Sequence, residues 1–182
     1  MALTIEDGTG KADSNSYVTV AEAQAYAAAR GVALPSDEAE VEALLVKAMD
    51  YLEAQRKLYT GERTWAAATG AHPAVQALQW PRTGALLDCK YAIAEDSIPA
   101  ELKRAQMQAA MEVFAGRDLL PSSDGRIVKK EKVDVLETEY MTAQDMGGAS
   151  GGVGVVAFPA VDALLEPLYG CGGGFFLKTV RV

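Results

Sequence analysis

The chain has 182 residues, the size of one globular domain, and a chain of that length buries enough surface to fold without a disulfide or metal staple. Seventeen Lys and Arg against 25 Asp and Glu leave a formal charge of −8, which argues against a dedicated nucleic-acid binder or a protein of anionic membranes. One histidine, His72, excludes a multi-histidine metal site, and Cys89 and Cys171 lack C-x-x-C spacing, so no disulfide framework and a reducing compartment are expected.

No apolar signal segment opens the chain. The longest uncharged stretch, residues 64–81, carries two prolines, two glutamines and the histidine and cannot span a membrane. A soluble, intracellular protein is the expectation. Residues 1–16, rich in Gly, Asp, Ser and Asn, read as an extended N-terminal arm. A helix follows, opened by Thr19 and Glu22 at capping-box spacing, faced with Ala21, Ala25, Ala28 and Ala29, and stopped at Gly31. Ser36 is the expected N-cap of the next helix, whose apolar positions Val41, Leu44, Leu45, Ala48, Tyr51, Leu52 and Tyr59 keep a 3.6-residue period as far as Thr60-Gly61.

Residues 73–80 read as a short helix with Pro73 at its start and Pro81 at its end, and the run RTGALLDCKYAIAEDS as loop with short turns. A third long helix is predicted from Pro99 to about Ala115, with Gly116 beyond it and Leu102, Ala105 or Gln106, Ala109, Ala110, Val113 and Phe114 along its apolar stripe. Residues 127–141 alternate with period two and read as one half-buried extended strand. Five glycines within residues 147–154 read as a hinge. Beyond it, Phe158, Val161, Leu164, Leu165 and Leu168 form one apolar face of a short helix, which would be marginal alone in water and needs a partner surface. The fold class is therefore mainly α: a small helical bundle over residues 17–120, with an extended strand or hairpin region and a C-terminal tail over 121–182 that is no independent domain.

None of the candidate chemistry assembles into an enzyme. His72 has no serine or cysteine in a nucleophile-elbow context, and the G-x-S-x-G pattern is absent. Gly152-Val-Gly154-Val-Val-Ala157 spells a relaxed dinucleotide fingerprint, but Phe158-Pro159 stands where the phosphate-binding helix would run. The acid pairs Glu95-Asp96 and Glu137 with Glu139 lie in polar stretches that would not split their pKa values. No cofactor, catalytic residue or metal site is expected. Trp80 reads as a packing anchor. Arg82 and the cluster Lys129, Lys130 and Lys132 supply phosphate contacts in an alternative reading, with Trp80 as a stacking platform.

Five segments in fixed order carry a resemblance: TIEDGTGKADSNSYVTVAEA, ALQWPRTGA, IPAELKRAQMQAAMEV, VKKEKVDVLETEY and FPAVDALLEPLYG. Together they resemble the tailed-phage family labelled DnaT-like single-stranded-DNA-binding protein, whose members are similar to head–tail connector (adaptor, head-completion) proteins. The resemblance implies a virion protein at the head–tail junction, found in the host cytoplasm during assembly. It implies a ring of about twelve copies beneath the portal, closed by head-to-tail contacts. The partners would be the portal protein, neighbouring copies and a tail-side connector or stopper, with genomic double-stranded DNA passing unbound along an acidic lumen. The segment Phe158, Val161, Leu164, Leu165 and Leu168 would then dock on the portal or on a neighbour. A single-stranded-DNA-binding accessory protein is the alternative.

Overall fold

A computed structural model describes residues 2–67, 74–120 and 158–170 in full, and the backbone of 128–132 and 137–140. The chain divides into two compact units, Met1–Leu119 with Phe158–Val182, and Leu120–Ala157. The fold is mostly helical with small antiparallel strand pairs, as the sequence predicts.

Residues 2–16 wrap around a buried carboxylate and do not form an extended arm. Glu6 is fully buried; its Oε1 accepts from the Gly8 and Gly10 N–H groups at 2.9 and 2.8 Å, and its Oε2 from the Lys11 N–H at 2.8 Å and the Ser14 hydroxyl at 3.1 Å. Gly10 has φ +72°, and a Cβ there would overlap the Trp65 ring, so only glycine fits the loop. Helix α1 (Val20–Ala28) carries the predicted capping box between Thr19 and Glu22. Helix α2 (Glu38–Ala54) is capped by Asp37, whose carboxylate accepts from the Ala39 N–H at 3.0 Å; Ser36 does not cap it. The helix stops at Ala54, short of the predicted end. Turns from Leu52, Glu53 and Gln55 carbonyls tighten the next residues, and the Tyr59 hydroxyl folds back to donate to the Leu52 carbonyl at 3.0 Å.

Four two-residue strands follow: β1 (Glu62–Arg63) pairs antiparallel with β2 (Arg82–Thr83), and β3 (Leu86–Leu87) with β4 (Tyr91–Ala92). Residues 74–80 form no helix: the Ala77 N–H, which a helix would bond four residues back, donates instead to the Lys11 carbonyl at 2.9 Å, and the buried Gln76 side chain pins the chain around it. Gln76 accepts from the Trp65 N–H at 2.8 Å and donates to the Leu78 and Pro81 carbonyls at 2.7 and 3.0 Å. Helix α3 (Ala100–Phe114) runs as predicted and ends before Gly116, which has φ +82°. Its stripe is interrupted by Gln106, which accepts from the Tyr17 N–H at 2.9 Å and donates to Ser16 Oγ at 2.8 Å, tying residues 16–17 to the helix.

Helix α4 (Pro159–Leu165) and a 3₁₀ turn (Glu166–Leu168) return to the main unit. Phe158, Val161, Leu165 and Leu168 are buried with Leu45, Leu52, Leu102 and Ala109 in one core, while Leu164 is partly buried against it. Tyr51 ties α2 to α4: its hydroxyl donates to Asp162 at 2.7 Å, and its ring meets Phe158 edge to face at 5.6 Å. The apolar face expected to dock on another protein is thus a wall of this protein's own core. Within the second unit, β5 (Val128–Lys132) and β6 (Glu137–Tyr140) form an antiparallel ribbon, within the strand or hairpin region that the sequence predicts. The predicted glycine hinge lies outside the described residues.

Candidate nucleic-acid interface

The Trp-Pro-Arg run that the sequence offers to a nucleic acid is folded inward. The Trp80–Pro81 peptide is cis, and Trp80 is 0% exposed, its ring edge to face with Tyr59 at 6.0 Å. Among the described residues its indole N–H has no hydrogen-bond partner. Arg82 is 6% exposed. It donates from Nε to the Thr60 carbonyl at 2.7 Å, from one terminal nitrogen to the Gly61 carbonyl at 2.5 Å, and from the other to the Gln79 carbonyl and side chain at 3.3 Å. A guanidinium spent on four internal acceptors has no fork left for a phosphate. Arg82 stitches the turn after α2 to β2, which corrects its assignment as a DNA contact.

Beneath it lies a polar network that spacing along the chain does not reveal. The Tyr17 hydroxyl accepts from the Trp80 N–H at 3.1 Å and approaches Glu53 Oε1 at 3.4 Å, which also accepts from the Gln79 N–H at 3.0 Å. Burial raises the Glu53 carboxyl above its ordinary value and pushes the Tyr17 phenol well up.

The lysine cluster stands differently. Register places Lys130 opposite Glu139 and Lys132 opposite Glu137, so two of its three positions pair with acidic positions in the ribbon. Lys129 falls at the register irregularity between Val128 and Lys130. His72 and Cys171 lie outside the described residues. Cys89 is disulfide-bonded, which corrects the expectation drawn from cysteine spacing. Among the described residues no three His, Cys, Asp or Glu side chains gather to hold a metal ion.

Exposed aromatic and cationic groups lie elsewhere. Tyr91 is 58% exposed at the start of β4, and Lys90 Nζ sits 5.1 Å from its ring centroid. Arg56, Lys57 and Leu58 are exposed in the turn after α2. Sequence reasoning missed both groups. The first hides in a hairpin turn without glycine or asparagine, and the second was assigned to a helix that ends earlier.

One family model matches the chain across residues 1–182, that of the family described as "Putative DnaT-like ssDNA binding protein". No curated protein and no solved structure matches the chain. The head–tail connector assignment does not stand: the family is described by single-stranded-DNA binding, and the helix expected to reach a portal is core.

Proposed function

The chain belongs to the family of DnaT-like ssDNA binding proteins, and from that premise we propose that it is a single-stranded-DNA-binding accessory protein and not an enzyme. The extent of the match carries the reading. It runs over all 182 residues and so does not rest on one short module.

Physical chemistry sets the form that such binding takes. A formal charge of −8 repels DNA at long range, so affinity has to come from contact. Base stacking on aromatic rings supplies it without regard to sequence, and a few nearby cations offset the phosphates. Duplex DNA hides its base faces in the stack and gains only the repulsion. The test is fluorescence anisotropy of a labelled oligothymidylate and of a duplex of equal length, both titrated with the full chain at low salt. Binding of the single strand in the range of about 1–100 µM, clearly tighter than the duplex, is expected. An oligothymidylate that stays unbound at low salt overturns the reading.

A further inference from the structure

One edge of the main unit collects exposed groups that the core does not explain. The turn after α2 presents Arg56, Lys57 and Leu58, with Leu58 42% exposed, and hairpin β3–β4 presents Lys90 and Tyr91. Both are fastened to the same short segment. The Gly170 N–H donates to the Leu58 carbonyl at 2.8 Å, the Asp88 N–H donates to the Pro167 carbonyl at 2.7 Å, and Cys89 Sγ lies 3.8 Å from the Tyr169 carbonyl oxygen. The Tyr169 oxygen and the Gly170 nitrogen belong to one peptide unit, so these contacts hold the Leu58 carbonyl and the Cys89 sulfur within about 9 Å of each other.

We propose that this edge is a binding surface for single-stranded nucleic acid, with the Tyr91 ring as the platform for one base and Arg56, Lys57 and Lys90 as contacts to the flanking phosphates. The assignment rests on the single-stranded-DNA reading and adds to it the place and the side chains. Its local charge differs in sign from that of the whole chain. Three exposed cations stand against two exposed acids on the same segments, Asp88 and Glu166, whereas the chain carries −8. A flexible single strand can engage a small positive edge while keeping clear of the acidic remainder, which a stiff duplex cannot.

The backbone that carries the platform is also preorganised. Asp88 and Cys89 have φ of +51° and +58°, the two left-handed positions of a tight hairpin turn, closed by the Lys90 N–H donating to the Leu87 carbonyl at 3.0 Å. The Ile93 N–H donates to the Ala85 carbonyl at 3.0 Å, and Leu86 and Thr60 exchange hydrogen bonds through the Thr60 hydroxyl at 3.0 and 3.1 Å. A hairpin backbone fixed before the base arrives loses little freedom on binding.

The test compares the full chain with Tyr91→Ala, Tyr91→Trp and Lys90→Gln, reading anisotropy of labelled oligothymidylate. Stacking by Tyr91 predicts that Tyr91→Ala weakens binding by about tenfold and that Tyr91→Trp matches or exceeds the parent. Lys90→Gln flattens the dependence of log affinity on log salt by about 0.7. Melting temperatures of the three variants stay near the parent's, since both side chains are exposed. If the parent binds and Tyr91→Ala binds equally well, the surface lies elsewhere and this proposal fails while the single-stranded-DNA reading stands. If the parent does not bind, both fail.

Discussion

Glu53 sits beneath Gln79 and Tyr17, and its burial raises the carboxyl above its ordinary value. From about pH 4.5, where an exposed glutamate loses its proton, up to the raised value, the folded chain binds more protons than the unfolded one. Stability therefore falls as pH rises through that window. Glu53→Gln keeps an oxygen to accept from the Gln79 N–H and has no proton to lose. The variant is expected to be more stable than the parent at neutral pH, with the advantage shrinking toward pH 4. Denaturant titrations of both proteins across that range measure it, and a constant difference would speak against a raised carboxyl. Arg82 makes a second prediction at this scale. Arg82→Lys cannot reach the Thr60, Gly61 and Gln79 acceptors together. It is expected to cost about 2–4 kcal/mol of stability while leaving single-stranded-DNA affinity of the folded protein unchanged. A stable variant with weakened binding would return Arg82 to the interface.

At the scale of elements, α4 decides what the C-terminal region is for. Phe158, Val161, Leu165 and Leu168 are each under 5% exposed, and burying such side chains stabilises by about 1.5–3 kcal/mol apiece. Leu165→Ala is expected to cost about 2–5 kcal/mol, and removal of residues 158–182 to unfold or aggregate the remainder, since a typical domain holds only about 5–15 kcal/mol. Circular dichroism and chemical denaturation read both, and a truncated chain that melts like the parent would place α4 outside the core. The helices were legible because their signals are local. The Thr19–Glu22 capping box, the period of α2 and the Pro99–Gly116 frame of α3 all lie within a few turns of chain. The partners of α4 were not legible: its apolar face fits a neighbour's groove or its own core equally well on pattern, and contacts such as Tyr51 to Asp162 span 111 residues. The helix predicted over 73–80 failed for a related reason, since the Ala77 N–H is bonded to the distant Lys11 carbonyl where a helix would bond it four residues back.

For the molecule as a whole, composition speaks only of an average. The −8 charge describes the sum, whereas binding is decided by which charges are exposed together. Trp80, Arg82 and the lysine run looked like a nucleic-acid constellation because the residue types are right. Burial removes the first two, and two of the three lysines stand opposite acids in the ribbon. The edge bearing Arg56, Lys57, Lys90 and Tyr91 was invisible for the converse reason. Its parts lie more than 30 residues apart and are brought together by the 166–170 segment and by the hydrogen bonds between Thr60 and Leu86. The most direct measurement is the salt dependence of oligothymidylate binding by the full chain. Three cations at the edge predict that log affinity falls against log salt with a slope of about −2. Failure to bind at low salt, or binding that ignores salt, would contradict the account.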